Sequence, residues 1–169
     1  MHDDDIAQRV RAALAELGVD AEELGCDPEF ADTAAFCARY GVDPRDSANC
    51  IVVAATRGER RHCVCLALAT TRLDVNGTVR RLTGWPKASF AGPEETAALT
   101  GMLIGGVTPF ALPEGLPLFI DSAVMERESV VIGGGDRSRK LRLDPRALGR
   151  IPGAVVVEGL ARPADVTVP

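Results

Sequence analysis

Apolar positions near the start of the chain recur with helical period. Ile6, Val10, Leu14 and Leu17 fall on one face, Asp3–Asp5 suit the positive end of such a helix, and Gly18 suits its close. The spacing predicts a second helix from Asp32, an N-cap residue, to Tyr40, with Gly41 at its C-terminus and a linker marked by Pro44 and Asp46. The pattern then turns to short strands. Cys50–Ala55 and Cys63–Ala69 are apolar runs flanking the charged turn Thr56–Arg61, which reads as a hairpin. Asp74 caps a short helix ending near Gly84, Lys87–Ala91 is a short strand, and Pro93 opens a helix closed by Gly101. Strands follow near 102–104, 116–120, 129–132 and 139–143; Asp144-Pro145 opens a last helix, and Ala154–Val157 is a final strand. About seven clustered strands with four or five interspersed helices, not in strict alternation, predict an α+β fold.

One stretch breaks both periods. Thr100–Pro113, TGMLIGGVTPFALP, begins as a buried strand at Met102–Ile104, but Gly105 and Gly106 open backbone angles closed to other residues and Pro109 fixes φ. A rigid loop with exposed backbone N–H groups is expected over Gly105, Gly106, Val107, Thr108 and Pro109, turning back toward Leu116–Asp121. Such a loop is either a glycine-rich turn between core strands or a cradle for a carbonyl or oxyanion that needs no reactive side chain.

A chain of 169 residues with 46% hydrophobic and 4% aromatic content can bury one core, built from Ala, Val, Leu and Ile. The acidic Met1–Ile6 lacks the basic region of a signal peptide, and the apolar stretch 101–120 is interrupted by Pro109, Pro113, Glu114 and Pro117, so no membrane partner and a cytoplasmic location are expected. The net charge of −5 argues against a protein that coats nucleic acid, yet it is unevenly spread. Residues 1–46 carry 12 acidic and 4 basic side chains, a net of −8; residues 47–169 carry 12 and 15, a net of +3. This divides the chain into an acidic helical segment, 1–46, packed on a mildly basic body, 47–160, followed by a loose tail, 161–169. Such a body can hold the end of an RNA without gripping a long duplex.

Conventional catalytic machinery is sparse. Five cysteines without C-x-x-C spacing read as small buried hydrophobes, and no metal or other cofactor is expected. Only His2 and His62 offer an imidazole, and no G-x-S-x-G accompanies them. Gly133-Gly-Gly-Asp-Arg-Ser138 fits neither G-x-G-x-x-G nor a P-loop; it is a hairpin turn or, with Gly134 beside Arg137, Arg139 and Lys140, a place for a terminal RNA phosphate. Lys140 and Arg142 would share one strand face while Leu141 and Leu143 point to the core; Arg80, Arg81 and Lys87 form a weaker basic group. Asp121 ends an apolar strand and can cap Ser122–Glu126, and Trp85, in Gly84-Trp-Pro86, reads as a packing anchor.

The order of these pieces resembles the YbaK/ProX-type aminoacyl-tRNA editing domains, related to the insertion domain of bacterial prolyl-tRNA synthetase. The family's Gly-x-x-x-Pro loop is matched by Gly105-Gly-Val-Thr-Pro109. Leu73–Leu82 and Lys87–Ala91 look like the preceding helix and strand; Leu116–Asp121 and Val130–Arg137 look like the following strands. The resemblance runs from about Ser47 to about Glu158. It implies a mixed, barrel-like sheet of about seven strands flanked by helices, a pocket near Asp121, and tRNA deacylation in trans. The implied substrate is tRNA for proline, with its acceptor end and prolyl-tRNA synthetase as partners. The family's first core strand carries a substrate-contacting lysine; the matching position is Asn49, which keeps hydrogen bonding without the charge. An aminoacyl ester is already activated, so a positioned water and oxyanion donors suffice for its hydrolysis. Two alternatives stand beside this reading: a non-catalytic binder of tRNA or of an aminoacyl ligand, and a hydrolase of small esters.

Overall fold

The computed structural model describes residues 3–164. His2 and residues 165–169 of the expected loose tail lie outside that range. In chain order come α1 (Asp3–Glu16), β1 (Glu22–Gly25), α2 (Thr33–Tyr40), β2 (Ala48–Ala55), β3 (His62–Leu68) and β4 (Thr71–Leu73). A π-helical turn (Val75–Val79) then runs into α3 (Arg80–Thr83), followed by β5 (Ala88–Phe90), α4 (Pro93–Thr100), β6 (Leu118–Asp121), α5 (Ser122–Met125), β7 (Val130–Gly133) and β8 (Arg139–Leu143). A 3-10 helix (Pro145–Arg150), β9 (Ala154–Val157) and β10 (Ala161–Pro163) complete the described elements. The class is α+β, and no closed barrel is found among the described residues. The strands form a five-stranded mixed sheet in the order β5-β2-β3-β6-β9, a three-stranded sheet β1-β8-β7, and a pair β10-β4. A bridge between Ser47 and Val131 joins the first two at one corner.

Strands β2 and β3 read as continuous apolar runs because both faces of their sheet are covered. On one face Val52, Ala54, Val64 and Leu66 meet Ile6, Val10 and Leu14 of α1 and Ile132 and Leu141 of the smaller sheet. On the other, Val53, Cys63 and Cys65 pack with Leu73, Val79, Trp85 and Leu160, so Trp85 is a packing anchor. Each fully buried Leu or Ile contributes about 1.5–3 kcal/mol. The acidic first 46 residues supply α1, α2 and also β1, which pairs antiparallel with β8.

Three strands were not visible in the apolar pattern. β1 is the charged sequence Glu22–Gly25, and β4 and β10 are three residues each, pairing Leu73 with Ala161 and Thr71 with Pro163. In the other direction, Met102–Ile104 is not the expected strand. Gly101 ends α4 in the left-handed region, and the Thr100 hydroxyl accepts from the Met102 amide at 3.0 Å. Met102 therefore plugs the core while Leu103 and Ile104 turn outward, about half exposed. The helix expected after Asp144 is 3-10 over Pro145–Arg150.

The loop after Met102 lies directly on the turn between β7 and β8. A Cβ on Gly106 would stand 2.5 Å from the Asp136 carbonyl carbon, and one on Gly133 would strike the Val107 carbonyl oxygen. Neither contact involves a movable side-chain end, so both positions require glycine for close backbone approach. Gly133→Ala should therefore lower stability by about 1–3 kcal/mol, because two backbones must part. Gly25→Ala, where a Cβ meets nothing within 4 Å, should change it by less than about 0.5 kcal/mol. Urea unfolding of both variants checks this; equal stabilities would show that the two segments are not tightly docked.

Candidate functional site

A cavity of about 350 Å³ opens at the corner where the two larger sheets meet. Its walls are the first turn of α2 (Asp32, Thr33, Ala34), the first half of β2 (Ala48, Asn49, Cys50, Ile51), the loop residues Ile104, Gly105 and Val107, and Gly133 and Lys140 from the smaller sheet. Gly105, Val107, Asn49 and Lys140, all candidates from the sequence, are thus brought to one place.

The loop is held from behind by a run of three donors. Arg137 Nη1 donates to the Ile104 carbonyl at 2.5 Å, Lys140 Nζ to the Gly105 carbonyl at 2.6 Å, and the Gly135 amide to the Gly106 carbonyl at 2.7 Å. Three consecutive carbonyls are thereby fixed by one segment, Gly135–Lys140. Gly105 sits at φ +95°, and a Cβ there would also collide with the Arg137 guanidinium. Peptide planarity sets the opposite end of each unit: with the Ile104 carbonyl drawn to Arg137, the Gly105 N–H points the other way. The Gly106 N–H closes a turn onto the Leu103 carbonyl at 2.8 Å. No protein acceptor among the described residues engages the N–H of Gly105 or Val107.

These contacts take Lys140 out of the basic group that the sequence offers to a terminal RNA phosphate. Lys140 is only 6% exposed, lies 5.5 Å from the Phe36 ring centroid, and donates to the Ala31 carbonyl as well, at 2.6 Å. The reason is that Phe36 of α2 and the Ala31 carbonyl just before that helix lie over the Lys140 side chain, which strand parity alone does not reveal. Burial pushes the Lys140 ammonium below the ordinary lysine range. Arg137 also donates to the Pro28 carbonyl at 2.9 Å and pairs with Asp32 at 3.0 Å. Arg139 pairs with the buried Asp136 at 2.9 Å, and Arg142 with Glu22 at 3.5 Å.

Asp32 has the extended backbone of an N-cap, but its carboxylate makes no cap hydrogen bond because it turns to Arg137. The first turn of α2 therefore reaches the cavity wall with its positive end uncapped by a side chain. Thr33, next in line, donates its hydroxyl to Oδ1 of Asn49 in a short hydrogen bond. That uses the Asn49 carbonyl oxygen and leaves its NH₂ group as the polar end. Sequence reasoning missed Thr33 and the Ala31 carbonyl as site components; the N-cap signal at Asp32 was the one pointer to this wall.

Other candidates lie elsewhere. Pro109 lines a separate, mostly apolar groove of about 580 Å³ with Ala13, Leu17 and Leu112. Thr108 is fully buried, its amide facing the Met102 sulfur at 3.4 Å. Gly134 packs on Arg139, and Gly106 on Asp136. Asp121 is buried beside the backbone amides of Leu160, Ala161 and Ser122, its pKa raised chiefly by burial, and it is not among the residues lining the cavity. His62 pairs in register with Ala54, five residues along β2 from Asn49, which is roughly 16 Å. There it faces Glu95 at 3.2 Å. Cys50 does line the cavity, but burial pushes its thiol up, away from the thiolate. The described residues contain no cluster of His, Cys, Asp and Glu suited to a metal. No helix among them is long and apolar enough to cross a membrane. What the cavity offers is backbone N–H groups, a helix N-terminus, one carboxamide and one buried ammonium: a site that stabilises negative charge on an oxygen.

The model of the aminoacyl-tRNA editing domain family matches residues 27–151, and the chain belongs to that family. Among solved structures, a crystal structure of a hypothetical protein is 27% identical, covering 91% of this chain and 99% of that one with a TM-score of 0.80. That of a candidate trans-editing enzyme for prolyl tRNA synthetase is 27% identical, covering 90% and 94%, with a TM-score of 0.76. A candidate signal transduction protein from Marinobacter aquaeolei, 16% identical over 91% of this chain and 30% of its own, shares the fold alone, with a TM-score of 0.60.

Proposed function

We propose that this chain, as an editing-domain protein, hydrolyses the ester of misacylated tRNA in trans, acting in the cytoplasm on tRNA for proline together with prolyl-tRNA synthetase. The observation that carries the reading is the pair of unengaged N–H groups at Gly105 and Val107 on the cavity wall, fixed there by donors behind the loop. Residues 47–160 form the catalytic body, and the acidic segment 1–46 contributes the α2 wall.

In this mechanism the 3′ end of the tRNA enters the cavity with its aminoacyl ester against the Gly105–Val107 loop. Water attacks the ester carbonyl carbon, and the developing oxyanion receives the two amide hydrogens. Collapse of the tetrahedral intermediate breaks the bond to the ribose oxygen, which takes up a proton as the free amino acid leaves. The vicinal ribose hydroxyl is placed to relay that proton, so the protein supplies no general base. The Asn49 NH₂ group orients the substrate, and Pro109 stiffens the end of the loop without touching the ester. Asp121 and Gly134, lining no part of the cavity, act through the scaffold. The similarity to a candidate trans-editing enzyme for prolyl tRNA synthetase supports the choice of tRNA.

Single-turnover deacylation of tRNA for proline charged with a panel of small amino acids tests this. Wild type should release at least one of them well above the uncatalysed rate. Gly105→Ala should lose roughly 100- to 1000-fold, the scale of one oxyanion donor, in protein verified as folded by circular dichroism. Wild-type rates in that variant would remove the loop from the chemistry. If wild type binds the mischarged tRNA and releases nothing, the non-catalytic binder is the correct reading.

Asn49→Ala should slow deacylation by roughly tenfold, about 1.4 kcal/mol, through loss of substrate positioning. Thr33→Val should reproduce part of that loss by freeing the Asn49 side chain to rotate. Unchanged rates in both would show that the carboxamide does not touch substrate.

A further inference from the structure

Lys140 is unlike the other basic side chains of this chain. Its ammonium lies inside the protein, yet no carboxylate among the described residues forms an ion pair with it. Both of its hydrogen bonds go to neutral main-chain oxygens, Ala31 and Gly105, each at 2.6 Å, the short range of charge-assisted bonds. The Gly105 carbonyl belongs to the loop wall of the cavity, and the Ala31 carbonyl to the residue just ahead of the α2 wall. Ala31 immediately precedes the N-cap of α2, and Gly105 is the left-handed residue of the loop. Lys140 therefore bridges the segment leading into the helix that carries Thr33 and the loop that carries the amide donors, beside Arg137, which joins the Ile104 carbonyl to Asp32 nearer the surface. Lys140 itself lines the cavity and has a third N–H, unused by the protein.

Resting on the deacylase reading above, we propose that Lys140 is a positioning residue whose charge clamps the α2 wall to the loop and holds Gly105 and Val107 in the geometry that receives the oxyanion. The neutral amine would keep two N–H donors but lose the charge assistance, roughly half the strength of each bond. The two carbonyl oxygens, converging on one point, would then relax apart. Burial favours that neutral form at a lower pH than for an exposed lysine, opposed by Asp32 and by the Cys26 and Cys37 thiols if ionised, and reinforced by the neighbouring Arg137. The sign is fixed: activity is full while Lys140 is protonated and declines as pH rises through its depressed pKa.

Two measurements decide it. In single-turnover deacylation, corrected for uncatalysed hydrolysis, wild type should lose rate on the alkaline side below the ordinary lysine pKa of about 10.4. Lys140→Arg should shift that limb upward, and Lys140→Met should lower kcat at least tenfold, leave KM within about twofold and abolish the limb. Retention of the wild-type limb in Lys140→Met, or a loss confined to KM, would overturn the clamp; the second result would make Lys140 a direct substrate contact. Independently of turnover, the ¹⁵N shift of the Gly106 amide, which shares a peptide with the Gly105 carbonyl, should titrate with the Lys140 ammonium in wild type. A Gly106 signal that ignores that titration overturns the clamp without any variant. Coupled titration in a wild type that deacylates no tRNA overturns the deacylase reading and leaves the clamp standing.

Discussion

Where the loop Ile104–Val107 lies on the turn Gly133–Asp136, no side chain separates the two backbones. Such an approach crowds carbonyl dipoles together and shields them from part of their hydration, which is costly unless a donor meets each one. The chain meets three in succession with Arg137, Lys140 and the Gly135 amide, all within one short segment. Much of the site follows from that arrangement. The carbonyls of Ile104 and Gly106 are taken by Arg137 and the Gly135 amide, so the N–H groups of Gly105 and Val107 point the other way, and the cavity wall becomes a donor surface without contributing a reactive side chain.

The same arrangement explains why basic residues in an editing-domain protein are used internally. An ammonium taken out of water loses hydration that two carbonyls and an aromatic face only partly replace, and the lowered Lys140 pKa is the signature of that deficit. Arg137, with its fork of donors, serves three oxygens at once: Ile104, Pro28 and Asp32. Asp32 is thereby diverted from capping α2. A structural economy at the loop thus leaves a helix N-terminus open at the cavity, where its dipole would add to the pull on an anionic oxygen in the proposed reaction.

Helix ends and the central hairpin were legible in the sequence because local chemistry determines them. The N-cap position Asp32 and the closing glycines Gly41 and Gly101 fall where the structure has them, as do the strands at 139–143 and 154–157. What could not be read depends on which faces are covered. Strand parity correctly paired Lys140 with Arg142, but it carries no information on whether α2 lies over that face. Likewise the two glycine-rich motifs were each visible, 28 residues apart from Gly105 to Gly133, while their docking on one another is a tertiary fact. The charged β1 escaped because its residues owe their strand to pairing with β8 and not to an apolar alternation.

The poverty of conventional catalytic groups is then a matter of substrate as much as of protein. His62 is tied to Glu95 well along the sheet, and Cys50, though it lines the cavity, has its thiol held in the protonated form by burial. The proposed hydrolysis accordingly uses neither as a nucleophile. An amide would defeat such a site, since its leaving group needs a proton delivered by a positioned acid. An aminoacyl ester does not, because its leaving alkoxide is better stabilised and carries a hydroxyl beside it. The neutral Asn49, polarised backbone amides and an internal cation therefore suit a reaction in which the largest change is charge appearing on one oxygen. On the proposed deacylase reading this is a form of selectivity: such a cavity would favour activated esters over peptide bonds.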